Sequence, residues 1–288
     1  MEERNQFLPP PPPIYPVTAD IPPQSPQHYS SAPGTGKSRG VAGGLLAALA
    51  AVWAYGKYVL LIALKVPFLA TVGTALISLV AYSLWGGWWF AVGLVVMILV
   101  HEMGHVVEIR RQGMAATAPI FIPFLGAAIF QRSHPTDAIK QAQIGIAGPI
   151  AGTLGATVAL IFFGTTHWLP LLEAAYIGYW INLFNLIPFA MLDGGWILAP
   201  VSKWVQVGGL AVLVGLFFAQ LVSPIVIILF LIGIPMVVQR FRNRALDAQL
   251  TSGPAPARFA LGAAWLLLVA YLAFGLYQTE SLLGAFVR

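Results

Sequence analysis

Two histidines and a glutamate fall together in His101-Glu102-Met103-Gly104-His105, inside the apolar run 88–109. On a helix, positions i and i+4 lie about 40° apart around the axis, one above the other. Two imidazoles so placed can grip one cation from a single face. Glu102 is turned about 100° from His101, near enough to reach a water polarised by the metal without replacing it as a ligand. The arrangement suits Zn²⁺, which lowers a water's pKa to roughly 7. A neighbouring carboxylate can then take the proton and pass it to a leaving amine. The setting sharpens the reading. A charged group inside a membrane stretch costs about 2.5–3.5 kcal/mol and needs a partner. A metal supplies one; the competing reading is that the histidines only hydrogen-bond across helices.

A catalytic zinc site takes three protein ligands and keeps a fourth position open. Glu108 lies one turn beyond His105, but it can pair with Arg111 at i+3. The extended soluble pattern H-E-x-x-H-x-x-G-x-x-H is absent, because Glu108 and Arg111 occupy its Gly and final His positions. His134 and Asp137 belong to a polar loop, and Glu173 sits near the outer end of a span. Asp193 remains, in Asn185-Leu-Ile-Pro188-Phe-Ala-Met-Leu-Asp193-Gly194-Gly195. Pro188 breaks a helix and is expected to free the carbonyl of Phe184. The glycines permit a sharp departure of the chain. Alone, Asp193-Gly194 would read as a plain turn; with two unsaturated ligands in the same membrane half, it reads as the third ligand.

His101-Glu102-x-x-His105 in an apolar run, followed by Asn185-x-x-Pro188 and Leu192-Asp193-Gly194, resembles the site-2 protease family of intramembrane zinc metalloproteases. The resemblance covers roughly residues 88–200. It implies that His101, His105 and Asp193 hold Zn²⁺, that Glu102 is the general base, and that Asn185 faces the substrate. Gly148-Pro149-Ile-Ala-Gly152 resembles a small-residue element packed beside the metal helix, though generic small-residue packing accounts for most of it. The function implied is hydrolysis of peptide bonds in membrane-embedded substrate helices. Asn185, Asn182 or a protonated Glu102 could steady the oxyanion. Two readings stand as alternatives: a non-catalytic membrane metal-binding scaffold, and a membrane zinc protease of another fold with Glu108 or Glu173 in place of Asp193. A transporter with a metal pocket would carry more acidic groups along several spans.

The elements that must position these residues are membrane helices. Of 288 residues 58% are hydrophobic and 9% charged, and the mean hydropathy is +0.81. A soluble domain carries about 25% charged residues, so an ordinary soluble enzyme, a disordered chain and a nucleic-acid binder are excluded. The absence of cysteine excludes Cys ligands and a Cys nucleophile. Apolar stretches at 41–64, 66–87, 88–109, 143–166, 171–190, 205–221, 223–239 and 259–278 predict an all-α polytopic membrane protein of about 6–8 membrane helices. The segment 115–130, with Pro119, Pro123 and Gly126, predicts a short extended or re-entrant piece.

The expected organisation is a disordered Pro-rich tail over 1–40, N-terminal membrane segments over 41–87, a zinc metalloprotease membrane core over 88–200 and C-terminal membrane helices over 201–288. The tail holds 10 of the 22 prolines. The first apolar run begins near Val41, so the start does not read as a secretory signal. Arg110, Arg111, Arg132, Lys140, Lys203, Arg240, Arg242, Arg244 and Arg258 fall on one side if 143–190 and 205–239 form hairpins, and that side is expected to be cytoplasmic. Trp85, Trp88, Trp89 and Trp168 mark the other interface. Lys37, Arg39, Lys57 and Lys65 strain this scheme unless the first stretch lies along the interface. A multi-pass protein of a plasma or inner membrane follows, with the site toward the cytoplasm. His101 is nine residues before Arg110, so the site lies roughly 14 Å from that end of the helix. The expected partners are the lipid bilayer, a membrane-embedded protein substrate and a regulatory protein, and no nucleic acid.

Overall fold

The computed structural model describes residues 67–129, 137–224 and 226–286. The Pro-rich tail, the stretch 41–64, Arg132 and His134 lie outside the described residues. Among those described, the order is α1 Pro67–Gly86, α2 Trp88–Arg111, β1 Ile120–Ile122, β2 Gly126–Ala128, α3 Ala138–Thr166, α4 Leu169–Asn185, α5 Asp193–Leu198, α6 Trp204–Phe218, α7 Val226–Arg242, α8 Arg244–Leu250 and α9 Ala255–Phe286. Among the described residues four helices (α1, α2, α3 and α9) are long and apolar enough to cross a membrane, and α7 with α8 makes a fifth candidate bent by 97°. The architecture is an all-α polytopic membrane protein with one small hairpin. Outward faces carry bare apolar side chains such as Leu84 and Phe259, 85% and 79% exposed, as lipid contact requires.

Helices α2, α3 and α4 pack as the inner bundle. With lipid tails as apolar as the side chains, close backbone approach must supply the attraction. Gly104 of α2 lies against the Ala147 carbonyl and Ala151 of α3, Gly93 against Ala174, and Gly178 against Ala156 and Met97. A side chain at Gly104 would push α2 off α3. Cross-bundle hydroxyls add to this packing: Thr157 Oγ1 lies 3.1 Å from Tyr179 Oη and 3.0 Å from Tyr271 Oη.

The extended segment is an antiparallel hairpin, with Ile120 opposite Ala128 and Ile122 opposite Gly126. It rests on α1. Thr71 donates its hydroxyl to the Pro119 carbonyl at 2.6 Å, Thr74 Oγ1 accepts from Phe121 N at 3.1 Å, and Tyr82 Oη accepts from Phe124 N at 3.0 Å. These polar side chains on an apolar helix take up main-chain groups that lipid would leave unpaired.

The two ends of the bundle are closed by different contacts. At one end Trp89 of α2 meets Trp168 of the α3–α4 turn at 5.0 Å, and Phe163 meets Phe286 at the end of α9, 5.7 Å apart. At the other end Gln112 donates to the Lys140 carbonyl, and Arg258 to that of Val201. The 171–190 stretch differs from expectation. Helix α4 closes at Asn185, three residues before Pro188, and the N–H of Ile187 returns to the Phe184 carbonyl at 3.1 Å. The Phe184 carbonyl is therefore not freed, while that of Leu186 accepts no main-chain N–H among the described residues.

Candidate metal centre

His101 and His105 project from one face of α2, as a four-residue spacing dictates. Their Nε2 atoms lie 3.2 Å apart. Asp193, the first residue of α5, brings Oδ2 to 3.1 Å from His101 Nε2 and Oδ1 to 3.4 Å from His105 Nε2. The three side chains are 5%, 12% and 15% exposed.

The hydrogen bonds behind the rings assign their protons. His105 Nδ1 lies 2.8 Å from the Ile144 carbonyl, which can only accept, so Nδ1 carries the hydrogen. Asn182 donates Nδ2 to the Gly178 carbonyl at 2.6 Å, which turns its Oδ1 to His101 Nδ1 at 2.8 Å. That nitrogen is therefore a donor as well. In the neutral rings both Nε2 atoms keep lone pairs facing each other and a carboxylate. Asp193 Oδ2 is buried and makes no hydrogen bond despite its nearness to His101. In that state three acceptor groups converge, and a bound cation would relieve their repulsion. Ligands about 2.0 Å from a tetrahedral zinc are roughly 3.3 Å from one another; the 3.2 Å between the ring nitrogens is close to that, and each nitrogen has one oxygen of Asp193 at a similar distance. The donor set fits Zn²⁺.

Local sequence explains how the groups arrive. Gly148 of α3 lies under the His105 imidazole and Gly152, one turn on, under the Asn182 amide; a Cβ at either would occupy the place of the side chain. These two glycines thus do more than admit a neighbouring helix. Asp193 is delivered by the break after α4. Gly194 packs on the Leu186 carbonyl and Gly195 on that of Ala190, so α5 restarts tightly against the end of α4.

The other expected residues separate clearly. Glu102 is 9% exposed, lies within electrostatic reach of His101, His105 and Asp193, and has no hydrogen-bond partner among the described residues. Asn185 ends α4, half-buried, with its amide free among the described residues. Asn182 has its amide committed at both ends and orients His101. Glu108 is held by Arg111 at 2.6 and 2.7 Å and by Gln112 at 2.8 Å. Asp137 caps α3 by accepting from Ile139 N. Glu173 is nine residues before Asn182 on α4, about 13.5 Å along the axis. The His101–Asn182 bond was not foreseen from sequence; the available signal was a lone amide inside an apolar helix.

Fold and site define a polytopic helical membrane protein with a buried cluster of two histidines and one carboxylate that could hold a metal ion. Residues 89–174 match the model of peptidase family M50, the family of the site-2 proteases, so the resemblance read from the motifs holds over that segment. A zinc metalloprotease of Methanocaldococcus jannaschii is 30% identical over 113 residues, which cover 38% of this chain and 32% of that protein. The chain thus spans about a third of the length of that relative. The matched family segment includes both histidines and Glu102 and ends before Asp193.

Proposed function

We propose that this protein is an intramembrane zinc metalloprotease that hydrolyses peptide bonds in membrane-embedded substrate helices. It would be a multi-pass protein of a cell membrane, with its site open toward the cytoplasm. The observation that carries the reading is the convergence of His101, His105 and Asp193, whose ring nitrogens lie 3.2 Å apart and each meet one carboxylate oxygen at 3.1 or 3.4 Å, beside a buried Glu102 with no hydrogen-bond partner among the described residues.

His101, His105 and Asp193 would hold the ion. Bound there, zinc would polarise the scissile carbonyl and acidify the attacking water to a pKa near 7, as it does in metalloproteases (roughly). The Glu102 carboxylate takes the water's proton on Oε and delivers it to the leaving amine. Of the two asparagines, Asn185 retains a free N–H for the developing oxyanion, whereas the Nδ2 of Asn182 is spent on Gly178. A substrate helix must unwind before its carbonyl is accessible. The β1–β2 hairpin offers it an edge: β1 is tied to α1 through Phe121 N, which leaves the outer side of β2 for an added strand.

The test is metal analysis combined with cleavage of a membrane-embedded substrate by the purified, reconstituted protein and by Glu102→Gln. The variant is expected to retain zinc and lose cleavage, by a factor of at least about 10² for a general base. Cleavage near the wild-type rate would remove Glu102 from the chemistry. Metal in both proteins with cleavage in neither would leave a binding scaffold.

A further inference from the structure

Beyond residue 174, where the family match ends, three side chains of the C-terminal helices reach back to the backbone that carries Asp193. Trp265 of α9 donates Nε1–H to the Leu186 carbonyl at 2.8 Å, just before the break. Arg240 of α7 donates Nη2 to the Ala199 carbonyl at 2.7 Å, immediately after α5. Arg258 donates Nη2 to the Val201 carbonyl at 3.0 Å. No main-chain N–H of the turns around α5 serves these three carbonyls. Arg258 and Trp265 are seven residues apart on α9, so they share one face. Arg240 is 3% exposed and is itself held by Asp247 Oδ1 at 2.9 Å, whose other oxygen lies 3.3 Å from Lys203 Nζ.

These contacts bear on the metal ligand because α5 has only six residues. A helix that short does not hold itself; its place is set by its buried face on α3, where Gly145 lies against Trp196 and Ile197, together with what grips its two ends. Gly194, next to Asp193, sits directly on the Leu186 carbonyl, so the bond from Trp265 fixes the surface on which the ligand-bearing residue rests. Phe189, in the same break, is fully buried, and Gly233 of α7 makes room for its ring, while Gly209 of α6 packs on the Pro188 carbonyl.

We propose that the C-terminal helices are a brace for Asp193, with Trp265, Arg240 and Arg258 as positioning residues that set metal affinity and coordination geometry without touching the ion. The proposal rests on the metal-centre reading of the site. Its test uses the full chain in detergent micelles. Zn²⁺ affinity is measured by chelator competition and coordination by the visible absorption of bound Co²⁺, for wild type, Trp265→Phe and Arg258→Met, each also made in the Asp193→Ala background. The Phe and Met variants keep apolar bulk and lose the donor. Each is expected to bind Zn²⁺ about tenfold more weakly, with altered Co²⁺ bands, and to add no further loss once Asp193 is gone. Should Trp265→Phe fail to fold, Arg258→Met carries the same comparison. Affinity and spectrum equal to wild type in both variants would overturn the brace while leaving the metal centre intact. So would an equal loss with and without Asp193, which would indicate general loosening. Failure of the wild type itself to bind either ion would overturn the metal centre and the brace together.

Discussion

His101 and His105 are suited to hold a metal because of what stands behind them. The Ile144 carbonyl and the Asn182 amide hold one proton on each Nδ1, and this leaves both Nε2 lone pairs directed inward. Asn182→Ala removes that orientation at His101, and Gly148→Ala places a methyl where the His105 ring lies. Each is expected to weaken metal binding on the order of 10–100-fold, measured by chelator competition, with helical content by circular dichroism unchanged. Undiminished affinity in Asn182→Ala would show that the amide does not set the ring. Glu102 belongs to the same scale but differs in kind, since among the described residues it makes no hydrogen bond that fixes it.

At the scale of elements, α1 matters through three polar side chains rather than through its apolar surface. Thr71, Thr74 and Tyr82 anchor the hairpin along one helix, and Tyr82 also meets Phe124 edge-on at 5.5 Å. Phe124 is held at φ 65, a conformation that a bulky residue rarely adopts, so the turn depends on its supports. Tyr82→Phe keeps the ring contact and loses one hydrogen bond, a cost of about 1 kcal/mol. Faster amide hydrogen exchange is expected across 120–128 and not in α3 or α4. Uniform acceleration over the bundle would show that Tyr82 serves global stability instead. The hairpin was legible in Pro119, Pro123 and Gly126, which disqualify a spanning helix; its seat on α1 was not, because threonine and tyrosine on an apolar run do not reveal their partners.

For the whole molecule, the centre ties together parts distant along the chain. His101 on α2, Ile144 and Gly148 on α3, Asn182 on α4 and Asp193 on α5 meet only in the folded state, so an ion bound there stabilises that state and not the unfolded one. With free zinc at 100 times its dissociation constant, the gain is about 2.7 kcal/mol. Stripping the metal with a chelator is expected to lower the thermal midpoint in detergent, with recovery on re-addition of Zn²⁺. In Asp193→Ala both the shift and the zinc retained through purification should shrink. An unchanged midpoint and full metal content in that variant would exclude Asp193 as a ligand.

Residue type and short-range spacing suffice to place the membrane class, the helical metal pair and the break at Pro188. Apolar runs and a four-residue interval are properties of contiguous chain, and periodicity alone exposes them. Asp193 could be reached only in company, because Asp193-Gly194 alone reads as a plain turn and becomes a ligand candidate beside two unsaturated histidines. The rest came from contacts across long loops: the amide of Asn182 on a ring 81 residues away, glycines beneath side chains of other helices, and an indole on a carbonyl 79 residues distant. Each concerns a partner that no local pattern encodes, since a hydrogen-bond donor on a helix looks the same whatever folds against it.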